Sequence, residues 1–443
     1  MSDFGSINSL DPANNELTYA LDRENVFHSW SVQSSLKPWV FAGGEGAYLW
    51  DYTGRKWLDF SSQLINTNVG HQHPKVTEAI QVASSQLTTI APGHANLYRG
   101  LAAKKIKEIA GEAFSKVFFT NGGADAVENA IRMARIYTGR DTVLSTYRSY
   151  HGNTGAAIVA TGDWRRIPNQ YARGHEHFFG PYLYRSPFWS ENEEQETDRA
   201  LEHLEAIING AGASNVAAIL LESVPGTAGI LVPPPGYMKG VRALADKYGI
   251  VFIADEVMAG FGRTGKWFAH QHFDVTPDLI TFAKGVNSGY VPAGGVVISD
   301  KIYEFFKDRM FPGGLTYSGH PLAMASIVAT IDAMREEGMV ENSAKIGEQL
   351  KVALNDLKDK HESIGEVRGI GAFWAIEFVA DRASKTPLDA ATMGKIKNGL
   401  YDRGLLPFMA DNRVHVAPPL IVTPEQVDTA IGIYDETFTD LGL

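Results

Sequence analysis

Ile250-Val251-Phe252-Ile253-Ala254-Asp255-Glu256-Val257 is an unbroken apolar run that stops on two carboxylates. A run this short, rich in β-branched residues and without a polar side, fits a strand buried on both faces better than an amphipathic helix. Comparable runs recur at Val117-Phe118-Phe119, Val216-Ala217-Ala218-Ile219-Leu220-Leu221, Leu279-Ile280-Thr281-Phe282 and Val296-Val297-Ile298, separated by longer stretches of helical period. Doubly buried strands alternating with helices imply an α/β fold, a mostly parallel sheet covered by helices on both sides.

Around this large domain, placed at residues 61–322, the pattern differs. Upstream, residues 1–60 read as an N-terminal segment that joins a smaller domain. Within it Gly46–Trp50 and Arg55–Asp59 flank the turn Asp51-Tyr52-Thr53-Gly54 as a hairpin. Downstream, residues 323–443 read as a smaller α+β domain. It comprises a long helical stretch to about Lys360, a Gly-broken strand Val367–Trp374, another helix and a strand near Val414-His415-Val416. The acidic run Glu191–Glu196 reads as a solvated helix start.

Composition excludes several function classes. A formal charge of -11 without a Lys/Arg cluster argues against nucleic acid and anionic membranes as partners. The absence of cysteine removes thiolate nucleophiles and Cys-based metal sites. No stretch approaches the roughly 20 apolar residues of a membrane span. The first twenty residues, free of Lys and Arg, show no targeting segment, so the cytoplasm is the expected compartment. His71, His73, His270 and His272 come in pairs two apart, and without further ligands nearby a surface or supporting role is the reading, with no metal expected.

In open α/β sheets ligands bind beyond the carboxyl ends of the strands, so the residues just after each run are the informative ones. After Val117-Phe118-Phe119 come Thr120-Asn121-Gly122-Gly123-Ala124 and then a helical segment, Asp125 to Tyr137. Glycines before a helix N-terminus let backbone amides approach a phosphate. Alone, a tight turn with glycine for steric reasons is the stronger reading. Asp255 sits at the tip of the next informative strand, where a desolvated carboxylate calls for a cationic partner. Lys284 ends a third, 29 residues on from Asp255, a gap long enough for a crossover between neighbouring parallel strands. A desolvated lysine there has a lowered pKa and a nucleophilic amine. Phosphate cup, carboxylate and lysine together describe one ligand, pyridoxal 5'-phosphate, with a partner for its phosphate, its pyridinium nitrogen and its aldehyde.

From about residue 40 to 420 the chain also resembles the class III (ω-amino-acid type) aminotransferases, which belong to the PLP fold type I. The eleven residues Asp255-Glu256-Val257-Met258-Ala259-Gly260-Phe261-Gly262-Arg263-Thr264-Gly265 carry the resemblance. Tyr150-His151-Gly152, Leu221-Glu222, Ala283-Lys284-Gly285, Thr316–Pro321 and Ala417–Leu420 support it. The resemblance implies that Lys284 holds the cofactor and moves the proton, and that Asp255 pairs with the pyridinium nitrogen. Tyr150 and Val257 would cover the two faces of the ring, with His151 and Glu222 also at the cofactor. Gly122, Gly123 and Ala124 would bind the phosphate through backbone amides. Thr316 would reach the phosphate of a neighbouring subunit, implying a homodimer with shared sites, or a tetramer built from it.

Departures from the family pattern bear on substrate. Gly122-Gly123-Ala124-Asp125 stands where a hydroxyl-bearing S-G-S-E is common, Met258 where Gln is found in ornithine- and γ-aminobutyrate-type members, and His415 where those members have Arg. Arg413, two residues before His415 and so on the same strand face, or a mobile Arg nearby, is expected to grip the substrate's acid group. Ile65 and Tyr150 would line the pocket, and Glu222 would pair with such an arginine between half-reactions. The expected reaction is ping-pong transfer of an amino group from an ω-amino acid or amine, taurine among the candidates, to a 2-oxo acid such as pyruvate or 2-oxoglutarate. The rivals are a phosphoethanolamine-type phospholyase, a decarboxylase or a racemase using the same lysine, and a noncatalytic binding protein on the same fold.

Overall fold

The structure, a computed structural model, describes residues 10–443, so residues 1–9 of the N-terminal segment lie outside it. Among the described residues the strands form three principal sheets. The first contains β1 (Gly43–Glu45), β2 (Tyr48–Trp50) and β3 (Lys56–Asp59), and β2 and β3 make the anticipated hairpin with Trp50 opposite Lys56. A late strand, Leu405–Leu406, joins it in parallel, Leu405 beside Leu58.

The central sheet holds β4 (Phe114–Thr120), β5 (Thr142–Thr146), β6 (His175–Phe178), β7 (Val216–Glu222), β8 (Val251–Asp255), β9 (Leu279–Phe282) and β10 (Gly294–Ser299). They lie in the order β4-β10-β9-β8-β7-β5-β6, and β10 runs antiparallel to both its neighbours. The sheet is therefore mostly parallel, as expected. β5 and β6 were not among the expected runs, because polar residues interrupt Thr142–Thr146 and dominate His175–Phe178. The helix Gly123–Thr138 covers one face, packing with Val143, Leu220, Val251 and Ile253. Leu144, Ile219, Leu221 and Phe252 point the other way, under the helices Glu193–Gly210 and Tyr237–Tyr248. Burial on both faces is what made these runs continuously apolar.

Three expectations change in detail. The helical stretch after residue 322 is two helices, Pro321–Glu336 and Met339–Lys360, broken at Gly338, whose φ of +62° glycine adopts without strain. The supposed strand Val367–Trp374 is instead a hairpin, β11 (Ile364–Ile370) against β12 (Phe373–Asp381), because Gly371-Ala372 turns the chain back. Glu196 is buried, not solvated: its carboxylate accepts from the Tyr182 amide at 2.6 Å and from the Ser186 hydroxyl, while Glu193 and Glu194 stay exposed. β12 pairs in turn with the strand Arg413–Val416, which pairs with Phe408–Ala410, and Thr386–Pro387 adds to β12 to complete a third sheet of five strands.

Gly371 is the tightest point of that hairpin, with φ +58° and no room for a Cβ, which would run into the carbonyl of Thr264. Gly371→Ala is expected to cost about 2 kcal/mol or more and to lower the melting temperature by at least a few degrees in a circular-dichroism melt (on the order of 2–4 °C per kcal/mol); an unchanged melt would show that the turn relaxes freely.

Candidate active site

Strand register brings the three expected ends to one edge of the sheet: on β10, Gly294 lies opposite Thr120 at the end of β4 and Gly295 opposite Phe282 at the end of β9. Glu222 lies opposite Asp255 across β7 and β8, and Asp255 opposite Thr281 across β8 and β9. Asp255 is only 3% exposed, and three groups bond its carboxylate oxygens. One oxygen accepts from the Val257 amide at 3.0 Å and the Thr281 hydroxyl at 3.1 Å, and the other pairs with Nδ1 of His151 at 2.7 Å. His151 is itself buried, and its Nε2 has no partner among the described residues. The carboxylate is thus fixed in orientation before any ligand arrives.

Lys284 follows directly, after β9 and Ala283, with its backbone in the left-handed region at φ +46°. A non-glycine residue in that conformation is strained, and such strain persists where the surroundings over-determine it. Gly285 is pressed against the Asn68 amide, which donates to the Phe261 carbonyl at 2.7 Å. Burial pulls the Lys284 ammonium pKa down to about 8; Arg165 pushes the same way, while Glu222 and Asp255 oppose it. Glu222 moves in the other direction, burial and Asp255 raising its carboxyl pKa against the pull of His151 and two backbone amides.

At the far end of β4 the helix Gly123–Thr138 starts without a side-chain cap. A Cβ on Gly122 would meet open space, whereas one on Gly123 would come within 2.8 Å of Val257. Val257 and the first amides of this helix therefore share one wall. Unpaired amides and the positive end of a helix are what a phosphate requires.

Tyr150 stands half-buried across the cleft. Its amide donates to Glu222 at 3.1 Å, its ring meets Trp30 edge-on at 6.5 Å, and the Arg165 guanidinium sits 3.9 Å over its centroid. The second Glu222 oxygen accepts from the Gly226 amide at 2.9 Å, so Glu222 braces two loops and makes no hydrogen bond or ion pair with an arginine. Sequence reasoning missed Arg165, which follows no apolar strand; the one available signal was a Trp-Arg-Arg triplet shortly after Tyr150.

Other expected residues lie elsewhere. Arg413 pairs with Asp411 at 2.7 Å and crowds Gly229, whose carbonyl accepts from Arg368 Nε at 2.6 Å. Ile65 is 1% exposed in an apolar cluster with Val224, Ala259 and Phe373. Thr316 lies on the exposed surface of the chain. His73 and His270 are buried rather than on the surface; His270 Nδ1 lies 2.9 Å from the Val275 carbonyl, and His71 pairs with Asp59 at 2.9 Å. Arg263, whose role the sequence left open, is fully buried. Its guanidinium donates to the carbonyls of Ala372 and Pro418, to Ser62 and, at 2.8 Å, to Asn68. Burial lowers its pKa to about 9, which still leaves it charged at neutral pH.

The donor set fits pyridoxal phosphate: uncapped helix amides for a phosphate, a pre-oriented carboxylate for a ring nitrogen, and an amine of depressed pKa for an aldehyde. A comparison with known proteins agrees. The family model described as aminotransferase class-III matches residues 31–438. The taurine–pyruvate aminotransferase of Bilophila wadsworthia is 32% identical over 95% of this chain and 96% of its own. The putrescine–pyruvate aminotransferase of Pseudomonas aeruginosa is 34% identical over 88% of each. Among solved structures, the taurine:2-oxoglutarate aminotransferase of Bifidobacterium kashiwanohense, in complex with PLP and glutamate, superposes with a TM-score of 0.93. It is 41% identical and covers 96% of this chain and 97% of its own.

The lysine has a consequence for the cofactor-free protein. Below about pH 8 both folded and unfolded chains hold its proton and the desolvation penalty is present in full. Between that value and the ordinary 10.5 the unfolded chain binds more protons, so the penalty fades as pH rises. Cofactor-free Lys284→Met is therefore expected to be more stable than wild type at pH 7, on the order of 1–3 kcal/mol in urea titrations, with the gap closing towards pH 10. A gap independent of pH would place the amine in water.

Proposed function

The chain belongs to the class III aminotransferases, and from that premise we propose that its donor is a short ω-amino acid or aminosulfonate such as taurine and its acceptor a 2-oxo acid, pyruvate or 2-oxoglutarate. It is a pyridoxal-phosphate enzyme that moves an amino group in two half-reactions, off the donor in the first and onto the acceptor in the second. The bound cofactor supplies an aldehyde that captures amines and a ring that withdraws electrons.

The protein's own groups do the rest. Lys284 holds the cofactor and, with a pKa near 8, carries and releases a proton at Nζ close to neutral pH. Asp255, braced by His151, keeps its charge towards the ring nitrogen. Tyr150 and Val257 would cover the two faces of the ring, and the amides after Gly122, at Gly123 and Ala124, would hold the phosphate. Glu222 fixes the backbone of Tyr150 and so the position of that ring. Thr316, exposed on a single chain, reaches the phosphate of a second copy in a homodimer.

The observation that carries the donor class is Arg165. Its guanidinium lies over Tyr150 and close enough to Lys284 to depress the lysine's pKa, which places a positive charge at the mouth of the amine site. Both arginines already have a carboxylate partner, Arg165 in Asp163 and Arg413 in Asp411, and of the two it is Arg165 that acts on Lys284. A donor with an acid at one end and an amine at the other satisfies both Arg165 and Lys284, whereas a diamine brings a second cation against Arg165.

With taurine, β-alanine and putrescine each paired with pyruvate and with 2-oxoglutarate, alanine or glutamate is expected to form faster from the acid-bearing donors. Ammonia release without either amino acid would overturn the assignment. Arg165→Ala is expected to raise KM for taurine by about tenfold or more, the worth of a charge-assisted hydrogen bond, and to leave putrescine nearly unaffected. An equal change for both donors would return the acid-binding role to Arg413.

A further inference from the structure

A cavity of about 690 Å³, counting the part open to solvent, lies at the ends of β5, β6 and β7. Leu221, Tyr237 and Met238 line it, so it opens on the sheet face covered by the helix Tyr237–Tyr248, opposite the face on which Asp255 alternates with Ile253 and Val251. Glu222 stands at the border of the two spaces.

Its walls are mostly apolar, with Pro225, Leu231 and Pro233 facing Leu221 and Met238. Tyr147 and Phe179, ring centroids 5.0 Å apart and 36% and 47% exposed, form the rim. Against this apolar lining stand three donors with nothing to bond among the described residues. The Tyr237 hydroxyl is buried and unpaired on a side chain only 3% exposed. Arg185 spends Nε on Glu377 at 2.6 Å but leaves Nη2 buried and unpaired. The Arg148 guanidinium makes no hydrogen bond or ion pair; it lies 5.5 Å from the centroid of Tyr182, on a backbone held at φ +64°. Buried donors left unpaired cost free energy, and a strained residue is kept where something fixes it.

We propose that this cavity is a second binding site, separate from the amine site, for a small organic anion: a carboxylate or sulfonate on a flat apolar body. The anion accepts from Arg148, Arg185 and Tyr237, and the body lies between the prolines and the aromatic rim. Arg148 precedes Tyr150 by two residues, and Glu222 accepts from the Tyr150 amide, so occupancy bears directly on the loop that covers the cofactor cleft. The site does not depend on which amine the enzyme uses.

Calorimetric titration of benzoate and benzenesulfonate into the holoenzyme tests this, with and without the active site blocked by aminooxyacetate. One equivalent per protomer is expected to bind in both states. Arg148→Ala and Tyr237→Phe are each expected to weaken binding about tenfold, and Leu231→Trp, which fills the cavity, to abolish it. Arg148 is exposed, so its variant tests the site without endangering the fold. Three outcomes would each overturn the proposal: no saturable heat up to about 10 mM, binding that disappears when the active site is blocked, or an affinity untouched by Arg148→Ala. Heat of binding is read directly, so a wrong choice of amine donor leaves the result unaffected.

Discussion

A lysine amine stripped of most of its water and set against two carboxylates is the arrangement on which the rest of this structure depends. It exists because β7, β8 and β9 run parallel in one register, which puts Glu222, Asp255 and Thr281 side by side and Lys284 just past them. Slipping β8 by one residue would turn Asp255 to the opposite face, under the helices that bury Leu221 and Phe252. The apolar packing of the sheet interior therefore does more than stabilise the fold. It sets the positions of charges that no local interaction at the strand ends could fix.

The same demand explains Arg263. A buried guanidinium without a bonded carboxylate is costly, and this one is held by carbonyls and side chains from three separate parts of the chain: Ser62 with Asn68, Ala372, and Pro418. Through Asn68 it reaches the Phe261 carbonyl and the space beside Gly285. The charge thus ties the segment after β3 and the turn between β11 and β12 to the loop behind Lys284. Replacing such a hub by an apolar residue would satisfy its volume but strand several carbonyls.

What the sequence made legible follows the same physics. The runs at β7, β8 and β9 were readable because strands covered on both faces must be apolar throughout, and their tips were readable because a charge at such a tip demands a reason. β5 and β6 escaped: Thr142, Ser145 and Thr146 are buried with polar side chains, the Ser145 hydroxyl being satisfied by the Ala160 carbonyl at 2.6 Å, a partner that no periodicity reveals. The hairpin at Gly371 reads as one broken strand in sequence because its turn has only two residues and apolar residues, Ile370 and Phe373-Trp374, stand on either side of it. Asp255 and Lys284 were found by position, and the pairing of His151 with Asp255 only by coordinates. Arg165 was invisible because it follows no apolar strand and lies in a 3-10 helix, Trp164–Asn169, too short to show a period.

That division of labour has a further consequence. Groups fixed by strand register, Asp255 and Glu222 above all, cannot move independently of the sheet, so they suit the unvarying part of the chemistry. The loop from Tyr147 to Arg166 is different: it carries Tyr150, His151 and Arg165 inward, while Arg148 faces the cavity on the other side of Glu222. It is anchored along its length: the Tyr150 amide donates to Glu222, the His151 amide to the Thr161 hydroxyl at 3.0 Å, the Ala156 and Ala157 amides to Glu128, and the helix Gly155–Ala160 buries Ala157 to Ala160 in the core. Arg165, whose polar partner is Asp163, shares no hydrogen bond with Asp255 among the described residues, so it can be replaced without disturbing that carboxylate. Selectivity among amines can therefore change on this loop while the strand ends that serve the cofactor stay as they are.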